Sequence, residues 1–222
     1  IMLLFSVSIM TINSSAEATT SNGLVCPDVS ASYYIVTRLD PRMCPSPLCG
    51  GYFVKGVNKP KTRCADGTWQ RDCHAWQLDA SALGWSSDEL AGFSEQFGQR
   101  HALVRGKLRQ MELDSLKADI LVVEEGRLGQ ALSKPVGAFF KVKDTGIVCI
   151  TFPCLSILER KLNVRVARLI AETDLAASGA TEDRVEAGYK ALSGPVGILA
   201  VGEHQTVTGP AGRALKLVTS EF

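Results

Sequence analysis

The sequence predicts a mostly β protein of the α+β class. It reads as two tandem duplicated units, each a five-stranded OB-like barrel or small sheet with one helix between strands three and four. Three observations carry this. The frame Cys44-Pro45-Ser46-Pro47-Leu48-Cys49 returns 105 positions later as Cys149-Ile150-Thr151-Phe152-Pro153-Cys154. An aromatic pair precedes each frame, Tyr33-Tyr34 and Phe139-Phe140. The same order of β-type runs then surrounds one helical stretch in each half. Units of about 90–100 residues can each bury a core. The expected division is repeat one over 33–132, a linker over 133–137 and repeat two over 138–222.

The elements follow in order. Ile1 to Met10 is apolar and Ala16-Glu17-Ala18 follows, the layout of a signal peptide over 1–18. No basic residue precedes Arg38, so the charged start of such a leader is missing, and a frayed apolar strand is the alternative. The run is too short to span a bilayer, which takes about 20 residues. Residues 19–32 are small and polar and read as a flexible leader.

Tyr33 to Val36 is the first strand, rich in aromatic and β-branched residues. After the cysteine loop, Gly51 to Asn58 is the second strand, matched by Leu155 to Asn163. Val57-Asn58 aligns with Leu162-Asn163 at the offset of 105, whereas Asp79 aligns with Asp174 at 95. Repeat one therefore carries ten extra residues. They fall in the segment 59–73, around the turn signal Ala65-Asp66-Gly67 and between Cys64 and Cys73, which have no counterparts. An inserted hairpin closed by its own disulfide accounts for both facts.

Ser86-Ser87-Asp88-Glu89 is a capping box, and Leu90, Phe93 and Phe97 form one helical face. In repeat two Thr181 or Glu182 opens the helix, and Val185, Tyr189 and Leu192 form the stripe. Both stripes are expected in the core. His101 to Met111 and Ala118 to Glu124 close repeat one, and Val196 to His204 and Ala214 to Thr219 close repeat two.

Seven cysteines fit an oxidising compartment. The repeat pairs Cys44–Cys49 and Cys149–Cys154, and the insertion pairs Cys64–Cys73. Cys26 is left unpaired: a free thiol, an intermolecular bridge, or a lipidation site behind the poor lipobox Asn22-Gly23-Leu24-Val25. The alternative use of Cys44, Cys49, Cys149 and Cys154 is one zinc site between the repeats. No Cys-x-x-Cys redox pair is present.

No catalytic constellation is visible. His74, His101 and His204 sit in no metal-binding spacing, and no Gly-x-Ser-x-Gly elbow exists. Asp79 and Asp174 read as caps at a strand end or helix entry, and Glu124-Glu125 as a solvated rim. The chain is expected to be no enzyme, with no metal and no cofactor. The net charge of +1 gives no general electrostatic case for nucleic acid. The binding candidates are Trp69, Lys61, Arg63, Tyr52 and Arg71, with Trp69 placed at the hairpin tip. Cations interleaved with aromatics suit an acidic glycan or a single strand of nucleic acid. The plainer alternative puts Tyr52, Phe53 and Trp76 in the core and leaves the cations as a solvated face. Repeat two offers Arg160, Lys161, Arg165 and Arg168 without aromatics.

The run Asp40-x-Arg42-x-Cys44-x-x-Pro47-x-Cys49-Gly50-Gly51, then Val57-Asn58, Thr62-Arg63-Cys64-Ala65-Asp66-Gly67, Cys73 and Leu78-Asp79, resembles a family of uncharacterised exported bacterial proteins, often lipoproteins. The resemblance covers most of the chain after residue 32. It implies an exported, disulfide-bonded domain and brings no activity with it.

The expected function is a periplasmic or secreted binding or structural module of the bacterial envelope, with no transmembrane segment in the mature chain. The expected partner is an envelope protein, a protease or a glycan. The alternatives are inhibition of an extracellular protease by a disulfide-rigidified loop, through Cys44–Cys49 or the hairpin, and an enzyme of unrecognised type.

Overall fold

The computed structural model describes residues 31–45, 48–97, 101–113, 116–129 and 134–222. The expected signal peptide, nearly all of the leader, Cys26, Ser46-Pro47 and Ser133 lie outside the described residues.

The first half runs β1 (Ser32–Leu39), β2 (Tyr52–Gly56), the short pair β3 (Thr62–Arg63) and β4 (Trp69–Gln70), β5 (Cys73–Ala75), β6 (Gln77–Asp79), a 3-10 turn (Ser81–Leu83), α1 (Ser87–Glu95), β7 (Ala102–Leu113) and β8 (Leu116–Leu128). The second runs β9 (Ala138–Asp144), β10 (Ile157–Lys161), β11 (Val166–Ile170), β12 (Glu172–Asp174), a 3-10 turn (Ala176–Ser178), α2 (Glu182–Leu192), β13 (Ile198–Gly209) and β14 (Gly212–Glu221). The first sheet has the order β5-β2-β1-β7-β8-β6, and the second β11-β10-β9-β13-β14-β12. The two orders correspond strand for strand.

These are six-stranded sheets and not closed five-stranded barrels, which corrects the strand count. The reason lies in strand three. β5 pairs with β2 at one edge, and one residue later β6 pairs in parallel with β8 at the other. The break residue Trp76 donates its N–H to Asp119 O, and its counterpart Ala171 donates to Leu215 O. One continuous stretch thus serves both edges of its sheet.

Local sequence explains the remaining geometry. Register slips at Arg105/Gly106 and at Val201/Gly202, the same place in both long hairpins. A Cβ on Gly106 would overlap the Val122 carbonyl oxygen, and one on Gly202 that of Val218. Glycine is therefore required at both bulges. Ser86 caps α1 reciprocally with Glu89. Phe93 is buried inside the helix. Phe97 lies beyond its end, edge-on to both Phe93 and Tyr52. In α2 the buried residues are Gly188 and Leu192, and Tyr189 is exposed, contrary to its expected core position. Its hydroxyl accepts from the Leu175 N–H and donates to the Thr173 carbonyl, so the polar end is anchored while the ring covers the surface.

Each sheet has its own apolar cluster, around Val54, Phe93, Val104 and Leu121 in the first and Phe140, Val142, Ile170 and Leu217 in the second. A third cluster joins them: Val57, Leu103 and Leu162, with Tyr33, Ile35, Phe139 and Leu199. Across this seam two asparagines make reciprocal clasps. Asn58 Nδ2 donates to Phe139 O and Leu162 O, and Phe139 N donates to Asn58 Oδ1. Asn163 Nδ2 donates to Tyr33 O and Val57 O, and Tyr33 N donates to Asn163 Oδ1. Both asparagines have φ of 60°, the left-handed region that Asn tolerates better than most residues. Each satisfied bond stabilises by about 1 kcal/mol. His101 Nδ1 and Glu221 Oε1, both nearly buried, form a further crossing at 2.5 Å.

Candidate functional site

The inserted hairpin is built from its root outward. Cys64 and Cys73 are buried in the first core and joined by a disulfide, with Cα atoms 5.4 Å apart. Thr62 is buried beside them, and its Oγ accepts the Gly56 N–H at 2.9 Å. Asp66 Oδ1 accepts from both Thr68 N and Thr68 Oγ, which hold its pKa below the ordinary carboxylate value. Cys64 N donates to Thr68 O and Gly67 N to Cys64 O, closing the turn. Ala65 N donates to Asp119 Oδ2 on β8. Burial raises the pKa of Asp119 against the pull of that N–H, and the charge of Asp66 raises it further.

Strand pairing then fixes the outer face. Arg63 lies directly opposite Trp69. Arg63 and Trp69, as a cross-strand pair, stand on the same face, and Lys61 and Arg71 flank them just outside β3 and β4. All four are exposed, Trp69 by 56 %. Trp69 stands on β4, after the turn, and not at the tip, which Asp66 and Gly67 form. Lys61 and Arg63 have no acidic partner within ion-pair range among the described residues. Arg71 Nε reaches Asp72 Oδ1 at 3.8 Å, and that oxygen is buried without a hydrogen bond. The other Asp72 oxygen binds Arg38, whose guanidinium lies 3.7 Å above the Phe53 ring.

The structure removes Tyr52 from this group. Its ring packs against Phe97 at 5.3 Å, and β2 carries it toward the core. The four remaining candidates stand together: three cations around one exposed indole on a stapled support. Such a face can pair with negative charge and stack a ring or sugar at once.

The cysteine loops lie elsewhere. Cys44–Cys49 and Cys149–Cys154 are disulfides, with Cα separations of 5.3 and 5.5 Å. Their sulfurs are committed in pairs, so the four do not converge on one zinc site. In the first loop the Arg42 guanidinium holds the Asp40 carboxyl down to about 2. Arg42 also donates to Leu48 O, and His74 Nε2 lies 2.7 Å from Gly50 O and 3.3 Å from Asp40 Oδ2. The Asp40-x-Arg42 motif therefore shapes the loop. Asp79 and Asp174 stand just before the 3-10 turns and accept from Ser81 N and Ala177 N.

Sequence reasoning missed one cluster. Glu159, 2 % exposed, lies 3.0 Å from Arg168 Nε and 2.7 Å from His204 Nε2, and Arg168 Nη2 lies 2.9 Å from each imidazole nitrogen. The only signal was a Glu in the buried phase of β10. The cluster joins three strands and neutralises a buried carboxylate.

Residues 33–222 match the family described as a domain of unknown function, DUF6748. No curated protein matches the chain, and no solved structure does.

Proposed function

Since the chain belongs to the DUF6748 family, whose function is unknown, we propose from its own residues that it is an exported, non-catalytic binding module of the bacterial envelope. The outer face of the hairpin is its contact surface, and its ligand is an acidic glycan. The observation that carries this is Trp69, exposed opposite Arg63 and flanked by Lys61 and Arg71, on a hairpin rooted by a buried disulfide. A stapled loop is ordered before its partner arrives, which lowers the entropic cost of binding. Three disulfides fit a periplasmic or secreted location, and no helix among the described residues is long and apolar enough to cross a membrane. We infer further that both halves descend from one duplicated OB-like unit. Matched strand orders, matched bulge glycines and the reciprocal asparagines support this.

The test is titration with polygalacturonate, an acidic polysaccharide, followed by tryptophan fluorescence and calorimetry. Wild type is expected to bind with a signal that vanishes in Trp69→Ala, and Lys61→Ala/Arg63→Ala is expected to weaken binding about tenfold. Undiminished binding by Trp69→Ala, or none by wild type, overturns the assignment.

A second reading, inhibition of an extracellular protease, is favoured by the Cys149–Cys154 loop. Ile150 is fully exposed at 104 % inside a covalently closed ring, and Val148 just before the ring is nearly so. Micromolar inhibition that disappears in Ile150→Asp would select it, and a protease panel left fully active removes it.

A further inference from the structure

On the second half, a groove of about 750 Å³ runs between α2 and the start of β13 and reaches the end of β8. That is within the ordinary range for small-molecule sites, roughly 300–1,000 Å³. Its floor is apolar: Leu128, Val196, Ile198, Leu199 and Phe222. Leu128 and Val196 are exposed there. One wall is the α2 face that carries Arg184, Ala187, Gly188 and Ala191, the i, i+3, i+4, i+7 spacing of a single stripe. Small side chains on that stripe leave the slot open. At Gly188 a side chain would strike the Phe222 ring and Leu175, so this wall also fixes how closely the helix sits.

The charges are unbalanced. Glu125 at the rim is matched by Arg127 at 2.7 Å. Lys141 and Arg184 line the same groove with no acidic partner within ion-pair range among the described residues. Tyr33, whose phenol pKa is raised by burial and then by Glu125, stands at the rim as a neutral hydroxyl.

We propose that this groove binds a long-chain fatty acid, with the alkyl chain on the Leu128–Ile198–Phe222 floor and the carboxylate between Lys141 and Arg184. An apolar trough with two unmatched cations fits one anionic head on a flexible chain. Arginine adds the planar, two-point recognition that a carboxylate takes. A second copy of the chain fits poorly. A two-fold contact sets a patch against itself and would bring Lys141 and Arg184 against their own copies. The proposal does not depend on the hairpin reading, because no residue of 59–73 lines the groove.

The test is calorimetric titration of the delipidated protein with oleate below its micellar concentration, with methyl oleate and lysophosphatidylglycerol as parallel arms. Oleate is expected to saturate at one site. Methyl oleate is expected to bind about tenfold more weakly or worse, a difference set by the head group. Ala187→Trp and, separately, Ala191→Phe are expected to weaken oleate at least about tenfold by filling the slot, and Lys141→Glu/Arg184→Glu by a similar factor through charge. Trp69→Ala is expected to bind oleate as wild type does, so failure here is distinguishable from failure of the glycan reading. The proposal is overturned if oleate does not saturate, if both filling variants bind it unchanged, or if methyl oleate binds equally well. Tighter binding of lysophosphatidylglycerol than oleate overturns the carboxylate assignment. Sedimentation showing a wild-type dimer that Ala187→Trp dissociates would make the groove a self-interface instead.

Discussion

The same three positions are filled in opposite ways in the two sheets. In the first, Val54 lies across from Cys73, and Leu108 packs nearby from β7. In the second, Glu159 lies across from Arg168, and His204 closes the group from β13. Leu108 faces Leu121 as His204 faces Leu217, so the positions correspond. One strand order therefore accepts either an apolar set fastened by a disulfide or a buried carboxylate met by an arginine and an imidazole. The difference follows the hairpin. Cys73 has a partner only because the insertion delivers Cys64 to it. Without the insertion, the same edge is held by charge. An ion cluster of this kind need not stabilise more than apolar residues would, but removing one member leaves the others uncompensated.

The sharpest way to break the comparison is Glu159→Ala. It leaves Arg168 and His204 facing a partly buried gap, and a loss of about 3 kcal/mol is expected by chemical denaturation. Installing an apolar set at these positions, Glu159→Val and His204→Leu as in the first half with Arg168→Leu in place of its half-cystine, is expected to recover most of that loss. A triple variant as unstable as the single one would contradict the equivalence.

In the first half, Cys64→Ala with Cys73→Ala removes the staple of a short loop. A cost of about 2–3 kcal/mol is expected, from loop entropy and lost packing. Hydrogen exchange is expected to rise in β2 and β5 while the second sheet keeps its protection.

Acid separates the two cysteine loops. The folded pKa of Asp40 is about 2, below the ordinary 3.8, because Arg42 binds its carboxylate. The contribution is therefore fully present above about pH 4 and is lost as pH falls through about 2. At the corresponding position the second half has Thr145, whose Oγ donates to Ser156 O, a bond that does not titrate. Carboxyl chemical shifts followed by NMR are expected to show Asp40 titrating near 2, and nearer 3.8 in Arg42→Gln. Equal midpoints in both proteins would refute the pairing.

The smallest effect belongs to the candidate contact face. Trp69→Ala is expected to change stability by less than about 0.5 kcal/mol, since the ring is exposed. A larger loss would mean that the indole supports the fold.

How much of this was legible in the sequence depended on range. The Ser86–Glu89 cap, the turn at Asp66-Gly67 and the cysteine frames are local patterns, and each carries its geometry within a few residues. Trp69 reads as an exposed residue at the hairpin tip; it is exposed, but it stands two positions beyond the tip, because strand pairing and not the turn signal sets where the hairpin ends. Tyr52 reads either as a binding aromatic or as core, and only its contact with Phe97, far along the chain, decides for the core side. Strand three reads as one run, and nothing local says that it splits between two edges. Glu159 meets His204 from 45 residues away, and no periodicity encodes that. Asn58 and Asn163 were aligned as a matched pair, but their role exists only where the two sheets face each other.

Those asparagines test most directly the central claim that two like-built sheets are locked by reciprocal clasps. The measurement is amide hydrogen exchange at Tyr33 and Phe139 in Asn58→Ala and Asn163→Ala. Asn163→Ala is expected to speed exchange at Tyr33, in the other half, and Asn58→Ala at Phe139, each crossing the seam. Unchanged protection at both amides, or loss confined to the mutated half, would contradict the account.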